Sequence, residues 1–287
     1  MPLTKATLLS FLILFVSLSS RAQDEKAPEP QKSYFKFSAS YLSNAVYYGR
    51  KDSFAVPYII PSISYNDKSG LYLEGSLSYL SSAGASQIDA GAITAGYEFN
   101  NANEKLSGSV YASKFFTSSS SYSVHGEVKG AIGSSLNYKA GPVSINGGAD
   151  ISFATKTDIG VNLGLSHEFE FDNNSFAITP TALVNAGTQN FYEDYFTNRK
   201  FSAKRKRRQT TNPNAIKVIV VAKKFAILDY ELSLPINYDK AKWGLFFTPT
   251  YSLPVNGFKY SINNGLTYRT ETLSNTFYAE VGGYIKF

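Results

Sequence analysis

Residues 276–287 read TFYAEVGGYIKF, and the alternation in this run decides the fold. Phe277, Ala279, Val281, Gly283, Ile285 and Phe287 fall on one side of an extended chain, with Tyr278, Glu280, Gly282, Tyr284 and Lys286 on the other. The repeat is two, one face apolar or small and the other polar or aromatic, as a strand with two unlike surroundings requires. The same alternation recurs upstream. Leu71, Leu73, Leu77 and Tyr79 oppose Tyr72, Glu74, Ser76 and Ser78. Ile159, Val161, Leu163 and Leu165 oppose Asn162, Ser166, Glu168 and Glu170. Ala226, Leu228, Tyr230, Leu232 and Leu234 oppose Asp229, Glu231, Ser233 and Asn237.

Working outward, the pattern predicts about twelve strands of the length a tilted membrane strand needs. They cover residues 33–43, 55–65, 70–81, 87–99, 105–116, 123–138, 143–153, 157–171, 175–186, 225–238, 243–253 and 276–287. Short connections at 66–69, 100–104, 139–142, 172–174 and 239–242 are rich in Asn, Asp, Gly and Lys, the usual turn residues. Longer ones at 44–54, 117–122, 187–224 and 254–275 alternate with them, and an even strand count returns both termini to one side. Residues 216–221 extend the tenth strand early. Residues 258–268 suit an outer hairpin around Asn263-Asn264-Gly265.

The aromatic-terminated last strand and the short-long alternation resemble the outer-membrane β-barrels of Gram-negative bacteria, of the small porin-like kind. The resemblance implies an all-β, antiparallel up-and-down transmembrane barrel of about 12 strands, between 10 and 14, with short periplasmic turns and long extracellular loops. It puts the apolar faces against lipid and the polar faces in the lumen. A soluble barrel reverses that assignment; the features of the ends and the composition favour polar-in.

At the amino end, Lys5 precedes an apolar run over 8–18 and the small-residue stretch Ser20-Arg21-Ala22. This predicts a cleavable signal peptide over 1–22 and export to the bacterial outer membrane. A periplasmic lead-in with Pro28 and Pro30 follows over 23–32, then the barrel over 33–287. The apolar run is shorter than the roughly 20 residues a spanning helix needs. Absence of cysteine excludes disulfides and thiolate metal centres. Tyr and Phe number 21 each, an excess that suits aromatic girdles at two membrane interfaces. The net charge of +6 would point towards nucleic acid, but the positive charge is concentrated in residues 200–208, so nucleic acid is not the expected partner.

On this assignment the lumen carries Glu74, Asp89, Glu127, Asp150, Asp229, Glu231 and Glu280 against Lys36, Lys129 and Lys286. Carboxylates in a narrow passage favour cations. Glu127, Lys129, Asp150, Asp229, Glu231 and Glu280 are therefore the selectivity candidates, with a Lys129–Asp150 pair among the contacts that would instead fill the barrel. The basic run Lys200, Lys204, Arg205, Lys206, Arg207 and Arg208 is the candidate for extracellular anions, including lipopolysaccharide phosphates. Residues 189–198, QNFYEDYFTN, place aromatics beside it as part of an upper girdle. Residues 44–51, NAVYYGRK, read as an ordered extracellular loop or a binding loop.

Three functions fit. The leading one is a passive channel for small cationic or neutral solutes with an acidic lumen. The alternative is a closed structural or adhesion barrel acting through its loops, favoured if loops fold inward or if Tyr72, Phe246, Tyr278 and Tyr284 fill the lumen. A hydrolase is third: only His125 and His167 are present, on different strands, with Ser123 near His125, and no catalytic motif, metal site or cofactor is expected. Protease added to intact cells is expected to cut within residues 200–208; full protection would mean that the loop is buried or the topology inverted.

Overall fold

The computed structural model describes residues 32–51, 55–81, 86–118, 121, 123–172, 175–195, 219–221, 225–257, 259–262 and 267–287. The predicted signal peptide, residues 23–31 of the lead-in, and Lys200 and Lys204 through Arg208 lie outside them. The strands are β1 (Tyr34–Leu42), β2 (Tyr58–Asn66), β3 (Leu71–Leu80), β4 (Gln87–Asn100), β5 (Leu106–Thr117) and β6 (Gly130–Ala140). Next come β7 (Val143–Phe153), β8 (Thr157–Ser166), β9 (Phe169–Phe171), β10 (Phe176–Ile178), β11 (Thr181–Gly187) and β12 (Ile219–Val221). The last six are β13 (Ala226–Ser233), β14 (Ile236–Asp239), β15 (Trp243–Pro254), β16 (Lys259–Ile262), β17 (Thr267–Thr270) and β18 (Thr276–Lys286).

Fifteen of these strands form one antiparallel sheet that closes on itself. β8 runs on into β9, β10 into β11 and β13 into β14, so the barrel has twelve spanning strands. Its seam joins β1 to β18, from Lys36 opposite Lys286 to Leu42 opposite Glu280. The end of the chain completes it: Phe287 N donates to Phe35 O at 2.9 Å, and Phe35 N to Phe287 O at 3.2 Å. Closure satisfies every edge, which a sheet in hydrocarbon needs.

The period of two sets the faces as read. Leu71 and Leu163 are more than half exposed on the outside, whereas Tyr72, Ser76 and Asn162 turn in. Aromatic rings gather at the rim on the side of the short turns. Phe35 meets Tyr65, Phe37 meets Phe287, and Tyr238 meets Trp243 at centroid distances of 5.1, 5.8 and 5.6 Å.

The face assignments of Ala226 and Leu228 are corrected. Leu228 is only 1% exposed, while Ile227 looks outward at 39%. Asn185 pairs with Asp229 but Ala186 pairs with Ile227, so Leu228 is the extra residue of a β-bulge and turns inward. The other irregularity is a crease. The breaks before β9, before β11 and before β14 lie side by side: His167 N donates to Pro180 O, Thr179 N to Pro235 O, and Leu234 N to Pro249 O. Proline has no N–H for the ladder, and two of these prolines stand at the breaks themselves.

The short turns close one end. In the first, Gly70 takes φ +94°, and a Cβ there would stand 2.3 Å from Glu98 O. Hydrogen bonds from the Ser69 hydroxyl, then the Ser69 N–H and the Ser33 hydroxyl, hold the Asp67 carboxylate well below the usual carboxylate range although it is exposed. At the other end β12, β16 and β17 form a separate three-stranded sheet. Of the predicted outer hairpin, β16 and β17 pair with each other while its turn lies outside the described residues; of the segment expected to extend the tenth strand, residues 219–221 pair with β16.

Truncating the bulge residue, Leu228→Ala, is expected to destabilise the barrel by about 2–4 kcal/mol, the cost of a buried leucine. Leu232→Ala, on the lipid face, should cost much less. Denaturant titration with heat-modifiable gel mobility as the readout compares the two; equal losses would mean that Leu228 is not packed.

Candidate functional site: a loop plug over a polar lumen

The sixth strand was expected from residue 123, but β6 starts at Gly130, and Val124–Glu127 form a 3-10 turn. His125 and Glu127 therefore sit in a loop, and Lys129 is exposed just before the strand. Val124 and Val128 instead enter a buried cluster with Phe191, Tyr192 and Tyr195, onto which Tyr47, Tyr48 and Phe115 pack. Three loops thus share one apolar core at the outer mouth.

Each is anchored to the wall below it. In the first, Asn44 Oδ1 accepts from Val56 N at 2.8 Å. Tyr47 and Arg50 then exchange two backbone hydrogen bonds of 2.9 Å around Tyr48 (φ 48°) and Gly49 (φ 70°), the signs of a type I′ turn. Gly49 is pressed against the wall: a Cβ there would lie 2.8 Å from Asp229 Cβ and 2.9 Å from Pro254 Cβ. In the third, helix α1 (Asn190–Tyr195) is seated by Asp158 on β8, whose carboxylate accepts from Asn190 N and Phe191 N at 2.7 Å each and from the Thr188 hydroxyl at 2.5 Å. Of the aromatics of 189–198 that the sequence assigned to the upper girdle, Phe191, Tyr192 and Tyr195 are thereby corrected, and Phe196 lies outside the described residues. Phe191, Tyr192 and Tyr195 are buried in the plug, with Tyr192 and Tyr195 stacked at 5.7 Å.

Arg50 locks the assembly. It is 2% exposed, and its Nη2 donates to Gln189 Oε1 and Val255 O at 3.0 Å each. Its Nε lies 3.9 Å from Glu271 Oε2, and its guanidinium stands 5.7 Å from the Tyr192 ring centroid. One side chain therefore ties together the loops after β1, β11 and β15. Among the described residues, Nε and Nη1 of Arg50 and Oε2 of Glu271 have no hydrogen-bond partner. A buried ion pair so sparsely satisfied recovers little beyond its desolvation cost, so the lock is a marginal one. Burial, reinforced by Glu271, pushes the Tyr192 hydroxyl far above its ordinary pKa and keeps it neutral.

His125 packs edge-on against Tyr47 and Phe115, with ring centroids 4.6 and 4.7 Å away. The surface it retains borders a cavity of about 170 Å³ beneath the 3-10 turn. Desolvation lowers its pKa from 6.5 to about 4. Its surroundings are those of a packed neutral ring.

The selectivity candidates separate into places. Asp150 on β7 accepts from the Tyr48 hydroxyl at 2.7 Å, so its partner is the plug and not Lys129. Asp229 is fully buried between Asn185 Nδ2 and the Ser252 hydroxyl, each at 2.9 Å, and Glu231 accepts from the Tyr278 hydroxyl at 3.1 Å. Glu280 is half-buried on β18, opposite Thr248. Asp89 is held by Tyr58, by Ser121 at 2.6 Å and by Gln87 at 3.0 Å. Sequence reasoning missed Arg50, Gln189, Tyr192, Glu271 and Asp158; the one available signal was the YYGR turn.

Below the plug the wall is polar, and four of its rings pack over glycines. Thr94–Ser113, Ser109–Ser135, Asn137–Asn146 and Asn146–Ser166 hydrogen bonds of 2.6–2.9 Å run from strand to strand. Tyr72 covers Gly96, Tyr111 covers Gly133, Phe246 covers Gly282 and Tyr284 covers Gly244; a Cβ on any of these glycines would come within 2.5–2.6 Å of the ring. Each is a direct register partner of its aromatic. Each ring thus packs over a glycine of the strand beside it.

Acid is expected to loosen the plug. The folded pKa of His125 is depressed, so the plugged state loses stability as pH falls from about 6.5 towards about 4 and is fully stabilised above that window. Hydrogen exchange of the 3-10 turn followed across this range should show faster opening at low pH, and His125→Phe should flatten the profile.

No family model and no curated protein match the sequence. Solved structures of similar shape include the KdgM porin (9% identity, TM-score 0.46, 89% of this chain and 99% of that one). The NanC porin gives 9% identity and TM-score 0.47 over 88% of this chain and 100% of that one. An outer-membrane channel from Pseudomonas putida F1 gives 10% and 0.48 over 93% and 99%. At these scores and identities, none of the three bears on what this chain carries.

Proposed function

We propose that this barrel is a passive outer-membrane channel for small neutral or cationic solutes, held closed at its outer mouth by the loop plug. The observation that carries the reading is the closed barrel with a polar inner wall, along which four aromatic rings pack over glycines of the neighbouring strand. The marginal Arg50 lock supports a mouth that opens at modest cost. Asp150, Asp229 and Glu231, which accept from Tyr48, from Asn185 and Ser252, and from Tyr278, are the carboxylates proposed to favour cations in the outer half. Glu127, Lys129 and Glu280 are secondary members of the same proposal. Lipopolysaccharide phosphates remain the proposed partner of Lys200, Lys204, Arg205, Lys206, Arg207 and Arg208.

The inward-folded loops favour a second reading, a closed barrel that acts through its outer surface. Planar-bilayer recording of the refolded chain under a salt gradient separates the two. The channel reading expects rare openings of the wild type, frequent openings of Arg50→Ala, and a reduced cation preference when Asp229→Asn and Glu231→Gln are combined. A folded barrel that stays silent with and without Arg50 would leave the closed-barrel reading standing.

A further inference from the structure

The end of the barrel opposite the plug holds a recess of about 320 Å³ lined by Tyr34, Lys36, Asn237, Thr248, Tyr284 and Lys286, with Asp239 and Phe246 beside them. Lys36 and Lys286 are register partners across the β1–β18 seam, and both belong to the inward-facing set of their strands. Opposed residues of an antiparallel pair stand close, and like charges placed so are destabilising unless something offsets them. Aromatic faces supply part of the offset. Lys286 Nζ lies 5.4 Å from the Tyr34 centroid and 5.1 Å from that of Tyr284, and Lys36 Nζ lies 5.9 Å from Tyr284. The single carboxylate lining the recess, Asp239, accepts from the Tyr284 hydroxyl at 2.5 Å and forms no ion pair with either lysine. Tyrosine rings thus flank both ammonium groups at the wall of one recess.

We infer that Lys36 and Lys286 form a binding site for the oxyanion of a small solute, a carboxylate or a phosphate, at the periplasmic mouth. One oxyanion between the two ammonium groups cancels the repulsion that the seam's register imposes. The Asn237 amide and the Thr248 hydroxyl offer further donors, and the rings of Tyr34 and Phe246 offer an apolar flank for the body of the solute. The site lies at the end opposite the carboxylates of the outer half and does not depend on conduction.

Calorimetric titration of the refolded full chain in non-ionic detergent tests this, with inorganic phosphate and citrate as separate probes. Saturable binding of at least one is expected, and which one binds identifies the oxyanion. The double variant Lys36→Gln with Lys286→Gln should bind about tenfold more weakly or worse, as loss of charged hydrogen bonds implies. Lys36→Arg with Lys286→Arg should retain binding, and Lys139→Gln, at a turn of the same end, should leave it unchanged. If the double variant fails the heat-modifiability check for folding, Lys36→Gln alone gives the reading. Absence of saturable binding to the wild type, or equal affinity after Lys36 and Lys286 are neutralised, overturns the inference. A silent but phosphate- or citrate-binding barrel would overturn the channel reading and leave this site in place.

Discussion

Hydrocarbon offers no partner to a backbone N–H or C=O, and that constraint governs this molecule. A sheet can meet it only by having no edges, so β1 must find β18, and the last residue must reach Phe35. Everything else is consequent on the seam. Twelve strands fix a bore of intermediate size. Alternation then divides each strand between lipid and lumen, and polar side chains have one place to go. The Ser, Thr and Asn wall of β4 through β8 is the result.

A bore of this width leaves room for loops to enter it, and the outer loops do. They bring an apolar core of their own, in which Val124 and Val128 meet Phe191 and Tyr192. The plug rests on the wall through Asp158, Asp150 and Asp229. Two of these carboxylates were expected to act on passing solutes, and both also serve as footings for loops.

The strands were legible because the period of two is written in each segment separately. The same property produced the errors. Residues 123–128 alternate as well as any strand, yet Val124 and Val128 gain more by packing on a loop some seventy positions away, so the segment coils. Leu228 sits in an unbroken alternation, and nothing local marks the bulge that turns it inward. The plug was beyond sequence reasoning for a related cause. Arg50, Gln189 and Glu271 are brought together by the barrel's closure, and no spacing along the chain announces them. Only the Tyr-Tyr-Gly-Arg turn carried a local mark, since its tip needs two positive φ values.

The rings laid over glycines bear on how such a bore changes in evolution. A glycine replaced alone drives its neighbour's ring into the passage, and an aromatic replaced alone uncovers the strand beside it. Widening or narrowing the lumen therefore takes two coordinated substitutions on adjacent strands. Tyr72 with Gly96, Tyr111 with Gly133, Phe246 with Gly282 and Tyr284 with Gly244 should behave as inherited couples, and the caliber of the barrel should shift in steps of one couple at a time.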